Sequence, residues 1–197
     1  MIGRGVSFAG VVLGLGAVLA AGPAGAHGLG GGGTGLMAGF AHPFLGLDHA
    51  VAMVAVGLWA AQTGGAARWT LPASFLAAMA AGGALGGLGI VLPAVEAGIA
   101  LSVLALGIAI ATAARPAAWA GMALVGAFAL FHGHAHGAEL PGGASPWLHA
   151  AGVLLATAAL HAAGLGGGDM IRRFAGSRVA RLIGGAISLA GLAWIAG

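Results

Sequence analysis

Two short stretches of the chain carry most of the side chains that can do chemistry. The first is His42-Pro-Phe-Leu-Gly-Leu-Asp48-His49, with Met53 one turn further on. At 100° per residue, His42 and His49 fall two turns apart on nearly one helix face, Met53 continues that stripe, and Asp48 points about 100° away. Imidazoles so placed stand roughly 10 Å apart along the axis and can share one ion only if the start of the helix bends. His42, just before Pro43, is placed to sit at the cap and fold inward. Asp48 is either a direct ligand or an acceptor that holds a ligand imidazole in one tautomer.

The second stretch is Phe131-His132-Gly133-His134-Ala135-His136-Gly137-Ala138-Glu139. His132 and His136 form an i, i+4 pair, the spacing by which one helix offers two imidazoles to a single ion. His134 faces the other way. Gly137 is placed to end the helix, after which Glu139 can turn back as an oxygen ligand. Neutral imidazoles and carboxylates suit nickel, cobalt, zinc or copper(II) better than magnesium or calcium. The sequence has no cysteine, which removes thiolate ligands, disulfides, iron-sulfur clusters and thiol catalysis together.

The elements that must position these groups are membrane helices. Of the 197 residues 60% are hydrophobic and 6% charged, far below the roughly 25% charged content of soluble domains. The 41 glycines follow no collagen-like period and lie among Ala, Leu and Val, as they do where membrane helices approach closely. The net charge of +3 comes from dispersed arginines with no lysine, which argues against a nucleic-acid partner. The expected fold is all-α: a polytopic bundle of six transmembrane helices after an N-terminal signal peptide.

Residues 1–26 are read as that signal peptide. Arg4 precedes an apolar run from Val6 to Ala21, then Gly22-Pro23 and the small residues Ala24-Gly25-Ala26, which fit signal-peptidase cleavage and leave His27 as the new N-terminus. A Gly-rich periplasmic segment, 27–42, leads into a transmembrane domain, 43–197. Six spans near the roughly 20 residues a bilayer needs are drawn at 43–62, 71–91, 93–114, 116–136, 146–166 and 178–196. Pro43, Pro72, Pro93, Pro116 and Pro146 sit at or near the proposed helix starts, where a missing N–H is tolerated. With a periplasmic mature N-terminus, Arg68, Arg115, Arg172, Arg173, Arg178 and Arg181 all fall on the cytoplasmic side, as the positive-inside rule requires. The histidine stretches, Glu96 and His149 then lie toward the periplasm. His161 and Asp169 lie toward the cytoplasm.

Several polar residues have simpler roles. His149 and His161 are read as hydrogen-bonding contacts between helices, and Met53 as packing. Glu96, three residues past Pro93, can complement a helix N-terminus. Asp169 is expected to cap the last helix or to pair with Arg172 or Arg173.

The two histidine stretches resemble the signatures of the HupE/UreJ family of nickel and cobalt permeases. The matching residues are His42, Asp48 and His49, then Phe131, His132, Gly133, Ala135, His136, Gly137 and Glu139, and the five-residue gap between His42 and Asp48 separates the chain from more distant nickel-cobalt transporters with a gap of four. His134 falls at a variable position. The resemblance implies inward movement of Ni2+ or Co2+ across the bacterial inner membrane by facilitated diffusion, the ion being transported substrate and not a permanent cofactor. His136, Glu139 and His27 are expected to capture the hydrated ion. His42, Asp48, His49 and His132 are expected to hold it deeper, between the first and fourth transmembrane helices.

No Gly-x-x-x-x-Gly-Lys loop is present, so no ATPase function is evident in the chain. An intramembrane metal hydrolase is the first alternative, with Glu139 as base, although no His-Glu-x-x-His motif occurs. A metal sensor or chaperone that binds without transport is the second.

Overall fold

A computed structural model describes residues 35–140 and 145–197. The signal-peptide reading and His27 lie outside the described residues. Helix α1, Leu36–Ala41, runs into a 3-10 helix, His42–Phe44. Then follow α2, Leu47–Thr63; α3, Ala67–Gly87; α4, Val95–Ala111; α5, Ala118–Ala138; α6, Pro146–Phe174; and α7, Ser177–Ala196. The described residues contain no strand.

Among the described residues four helices, α3, α5, α6 and α7, are long and apolar enough to cross a membrane, and the pair Leu36–Phe44 and Leu47–Thr63, bent by 87°, makes a fifth if it is one span. Helix α4 is apolar but shorter, at 17 residues. The bend follows from local chemistry. Pro43 restricts the turn that His42 begins, and Gly46 caps α2 in an extended conformation.

Helix boundaries differ from the sequence expectation, with consequences in α3 and α6. Helix α3 starts at Ala67, so Pro72 lies within it and removes one i→i−4 bond early in the helix, where disruption is smallest. Helix α6 runs for 29 residues, about 43 Å at 1.5 Å per residue, and so outruns a hydrocarbon core of about 30 Å. Its last turns carry Asp169, Arg172 and Arg173.

Small residues let the helices close on one another. A Cβ added to Gly133 on α5 would overlap the Met79 carbonyl of α3, and one added to Gly82 would overlap the Leu130 carbonyl in return. The same reciprocal fit joins α2 to α6 through Gly57 and Gly164, and α4 to α7 through Gly107 and Gly184. Where lipid tails are as apolar as the side chains, such close backbone contact is what drives helices together. Helix α2 lies at the centre, with Met53, Val56 and Trp59 fully enclosed.

The two ends of the bundle differ in charge. Asp169 does not cap the last helix; it sits within α6 and accepts from Arg68 on α3, at 2.9 Å, and from Arg172, also at 2.9 Å. At the same end Arg172 donates to the Ala61 carbonyl, Arg115 to the Gln62 carbonyl and Arg181 to the Ala111 carbonyl. Trp69 and Trp119 are exposed at this end, Trp147 and Trp194 toward the other, as in the aromatic belts of membrane proteins.

Candidate metal centre

The 87° bend decides where His42 goes. Instead of continuing the α2 axis, the 3-10 helix swings His42 across the top of the bundle, where its ring centre lies 4.9 Å from that of His136 on α5. His49, in the first turn of α2, approaches the same His136 ring at 4.8 Å and the His132 ring at 4.8 Å. Thus the two stretches meet. Imidazoles that share an ion through bonds of about 2 Å have ring centres roughly 5 Å apart, so these separations match that spacing. No three His, Asp or Glu donors among the described residues close on one point as a finished chelate. The arrangement is a chain of neighbouring donors.

Hydrogen bonds set the tautomers of two of these rings. Asp48 Oδ1 accepts from the His49 backbone N–H at 2.7 Å and from His49 Nδ1 at 2.9 Å. An acceptor on Nδ1 places the ring proton there and leaves the lone pair on Nε2, a buried atom with no partner among the described residues. Gly46 makes room for this pair: a Cβ there would stand 3.0 Å from Asp48 Oδ1 and 3.1 Å from His49 Nδ1. For His132 the acceptor is Ser102 on α4. The Ser102 hydroxyl donates to the Ile99 carbonyl at 2.6 Å and so accepts from His132 Nε2 at 2.9 Å. The lone pair then falls on Nδ1, which is buried and has no partner among the described residues.

His136 is buried, and neither of its ring nitrogens has a partner among the described residues. Glu139 caps α5 and turns back, its Oε2 lying 3.3 Å from His42 Nε2. It is well exposed, at 60% of its side chain, and so stands at the rim. His134 points elsewhere, its Nε2 donating to the Ile90 carbonyl at 2.7 Å.

Three neighbours were not evident from the two motifs. His149, in the first turn of α6, lies 5.5 Å from His42 by ring centres, and both its nitrogens are buried without partners among the described residues; the only signal was its place on the same side of the membrane. Ser102 is the sole hydroxyl within α4, the kind of isolated polar residue that points into a bundle. Phe75 packs 5.6 Å from His132, and nothing in the sequence marked it. Beside the cluster a cleft of about 320 Å³ is lined by Asp48, Glu96, Ala97, Ala100, Trp194 and Ile195. Asp48 therefore stands between the cleft and His49.

Apolar helices with arginines gathered at one end, and packed imidazoles set among the helices toward the other, define a multi-pass membrane protein with an internal cluster of nitrogen donors. The chain belongs to the HupE / UreJ protein family, which matches residues 15–194. That family is associated with nickel and cobalt uptake, and its members are transporters and not enzymes. The chain is 48% identical over 163 residues to Protein HupE of Rhizobium leguminosarum bv. viciae, covering 83% of this chain and 85% of that one. No solved structure matches it.

Proposed function

We propose that the protein is a permease that carries Ni2+ or Co2+ from periplasm to cytoplasm across the bacterial inner membrane, by facilitated diffusion. The observation that carries this reading is the His49–His132 pair. Each ring gives one nitrogen to an oxygen acceptor and leaves the other buried and without a partner among the described residues. A buried lone pair without a donor is unfavourable unless a proton or a cation meets it.

In this reading the mature N-terminus is periplasmic, the arginine end is cytoplasmic, and the bent pair and α4 complete six spans. Glu139 and His42 at the rim, together with His136 and His27, exchange the waters of the incoming ion for carboxylate and imidazole. His49 and His132 take it deeper, with Asp48 and Ser102 fixing their tautomers. Imidazole and carboxylate bind firmly enough to select and loosely enough to release. An inside-negative potential supplies the drive, about 2.3 kcal/mol per charge per 100 mV.

The test is uptake of radioactive nickel by purified protein in phospholipid vesicles with an imposed inside-negative potential. Accumulation that depends on the protein, competes with cobalt and rises with the potential is expected. Nickel bound at the outer face but never delivered to the lumen would leave a sensor or chaperone in its place.

A further inference from the structure

We propose that His161, with the thioether sulfurs of Met53 and Met79, forms a second and deeper site for the divalent ion, occupied after it leaves the His49–His132 cluster. This rests on the permease reading above and adds a position on the path that neither histidine motif contains.

The tautomer of His161 is set by its partner. Its Nδ1 lies 2.8 Å from the backbone carbonyl of Met53; a carbonyl only accepts, so Nδ1 carries the proton and Nε2 the lone pair. That Nε2 is buried and has no partner among the described residues, in a side chain only 2% exposed. An interhelical hydrogen bond explains one nitrogen of this ring and leaves the other unexplained.

Two thioethers, which are donors to transition metals, converge one turn along α6 from the ring. Thr157 lies one turn before His161 on α6, and its hydroxyl oxygen is 3.4 Å from the sulfur of Met53 and 3.4 Å from the sulfur of Met79. The hydroxyl also lies 2.9 Å from the Val153 carbonyl, and its single proton cannot serve all three acceptors fully. Two thioethers from α2 and α3 thus converge beside one face of α6. Met53, Phe75, Met79, Thr157 and His161 are all buried.

The position also continues the outer cluster. The Phe75 ring stands 5.6 Å from His132 and 5.0 Å from His161, so one aromatic ring separates the two groups of imidazoles. Inward of it the donor set has no carboxylate. One imidazole and two neutral thioethers hold a dication less firmly than imidazoles backed by Asp48 and Glu139, and such a step down in binding strength favours release inward.

The discriminating variant is His161→Asn in the full chain, whose side-chain amide can still donate to the Met53 carbonyl but has no imidazole lone pair to offer. Nickel uptake into vesicles is measured against external nickel, and nickel binding is measured on the same protein in detergent. The expected result is a fall of about tenfold or more in maximal uptake rate, with half-saturation and binding within about twofold of the unmodified protein. A maximal rate within about twofold of the unmodified protein overturns the proposal. Parallel loss of binding and rate also overturns it, because His161 then only supports the outer cluster.

Should His161→Asn fail to insert, the volume-conserving pair Met53→Leu and Met79→Leu takes its place. A fall of about threefold or more in maximal rate at unchanged binding is expected, and an unchanged rate overturns the deep site. If the unmodified protein moves no nickel, the permease reading fails and the deep site with it, an outcome recognisable without any variant.

Discussion

His49 and His132 come from different helices, yet their imidazoles meet edge to face with ring centres 4.8 Å apart, and each turns an unpartnered nitrogen away from its own hydrogen bond. If these nitrogens are ion ligands, His49→Ala and His132→Ala should each lower nickel uptake by at least about tenfold, a loss typical of disrupted metal sites. Membrane insertion, followed by fractionation and detergent extraction, should be unchanged. Normal uptake in both variants would remove the cluster from the path.

Asp48 contacts His49 by two hydrogen bonds to one oxygen, which makes it a positioning residue in the proposed site. Asp48→Asn keeps a carbonyl oxygen able to accept from Nδ1, whereas Asp48→Ala keeps none. We expect Asp48→Ala to weaken nickel binding about 10- to 100-fold and Asp48→Asn to weaken it less. Titration of the detergent-solubilised variants with nickel distinguishes the roles. Equal losses would mean that the carboxylate itself binds the ion.

Ser102 gives a parallel test on a residue outside both motifs. Ser102→Ala removes the acceptor that orients His132 Nε2 and frees the ring to adopt either tautomer. Nickel affinity should fall about tenfold while the thermal midpoint in detergent changes little more than for loss of one buried hydrogen bond, about 1 kcal/mol. Wild-type affinity in Ser102→Ala would show that the tautomer needs no outside support.

Helix packing makes a contrast between glycines. Gly133→Ala forces a Cβ into the Met79 carbonyl, whereas a Cβ at Gly166 on α6 meets nothing within 4 Å. The first should destabilise the bundle by about 1–3 kcal/mol through overpacking. The second should be neutral or stabilise by up to about 1 kcal/mol, from helix propensity. Unfolding midpoints in a single detergent compare the two, and equal effects would show that α3 and α5 do not pack as closely as described.

The Arg68–Asp169–Arg172 group joins α3 to α6 at the arginine end, but Asp169 is about a third exposed, at 35% of its side chain. Asp169→Asn should therefore lower stability by no more than about 1 kcal/mol, and raised salt should erase most of that difference. A larger, salt-insensitive loss would mean that the pair is shielded from solvent.

Much of the architecture was legible in the residue order. Apolar runs of bilayer length predict helices because backbone polar groups in lipid must be satisfied within the segment, and the arginines sorted the two ends by sign. The i, i+4 spacing of His132 and His136 placed two imidazoles on one face through helix geometry alone. Helix ends were less legible. Pro72 marked a start that lies five residues earlier, at Ala67. Asp169 pairs with Arg172, as its spacing in the sequence suggested, and also with Arg68 across helices, which no local spacing could indicate.

The donor types and their local spacing were thus determined by the sequence by itself: nitrogen and oxygen without sulfur anions, in two stretches that share one side of a membrane. Only the tertiary structure decided that a bend before α2 carries His42 to His136, that Ser102 orients His132, and that His149 joins them. Local periodicity follows from the backbone of one helix. Meetings between helices follow from how closely glycine surfaces let them approach, and that depends on pairs of residues far apart in the chain.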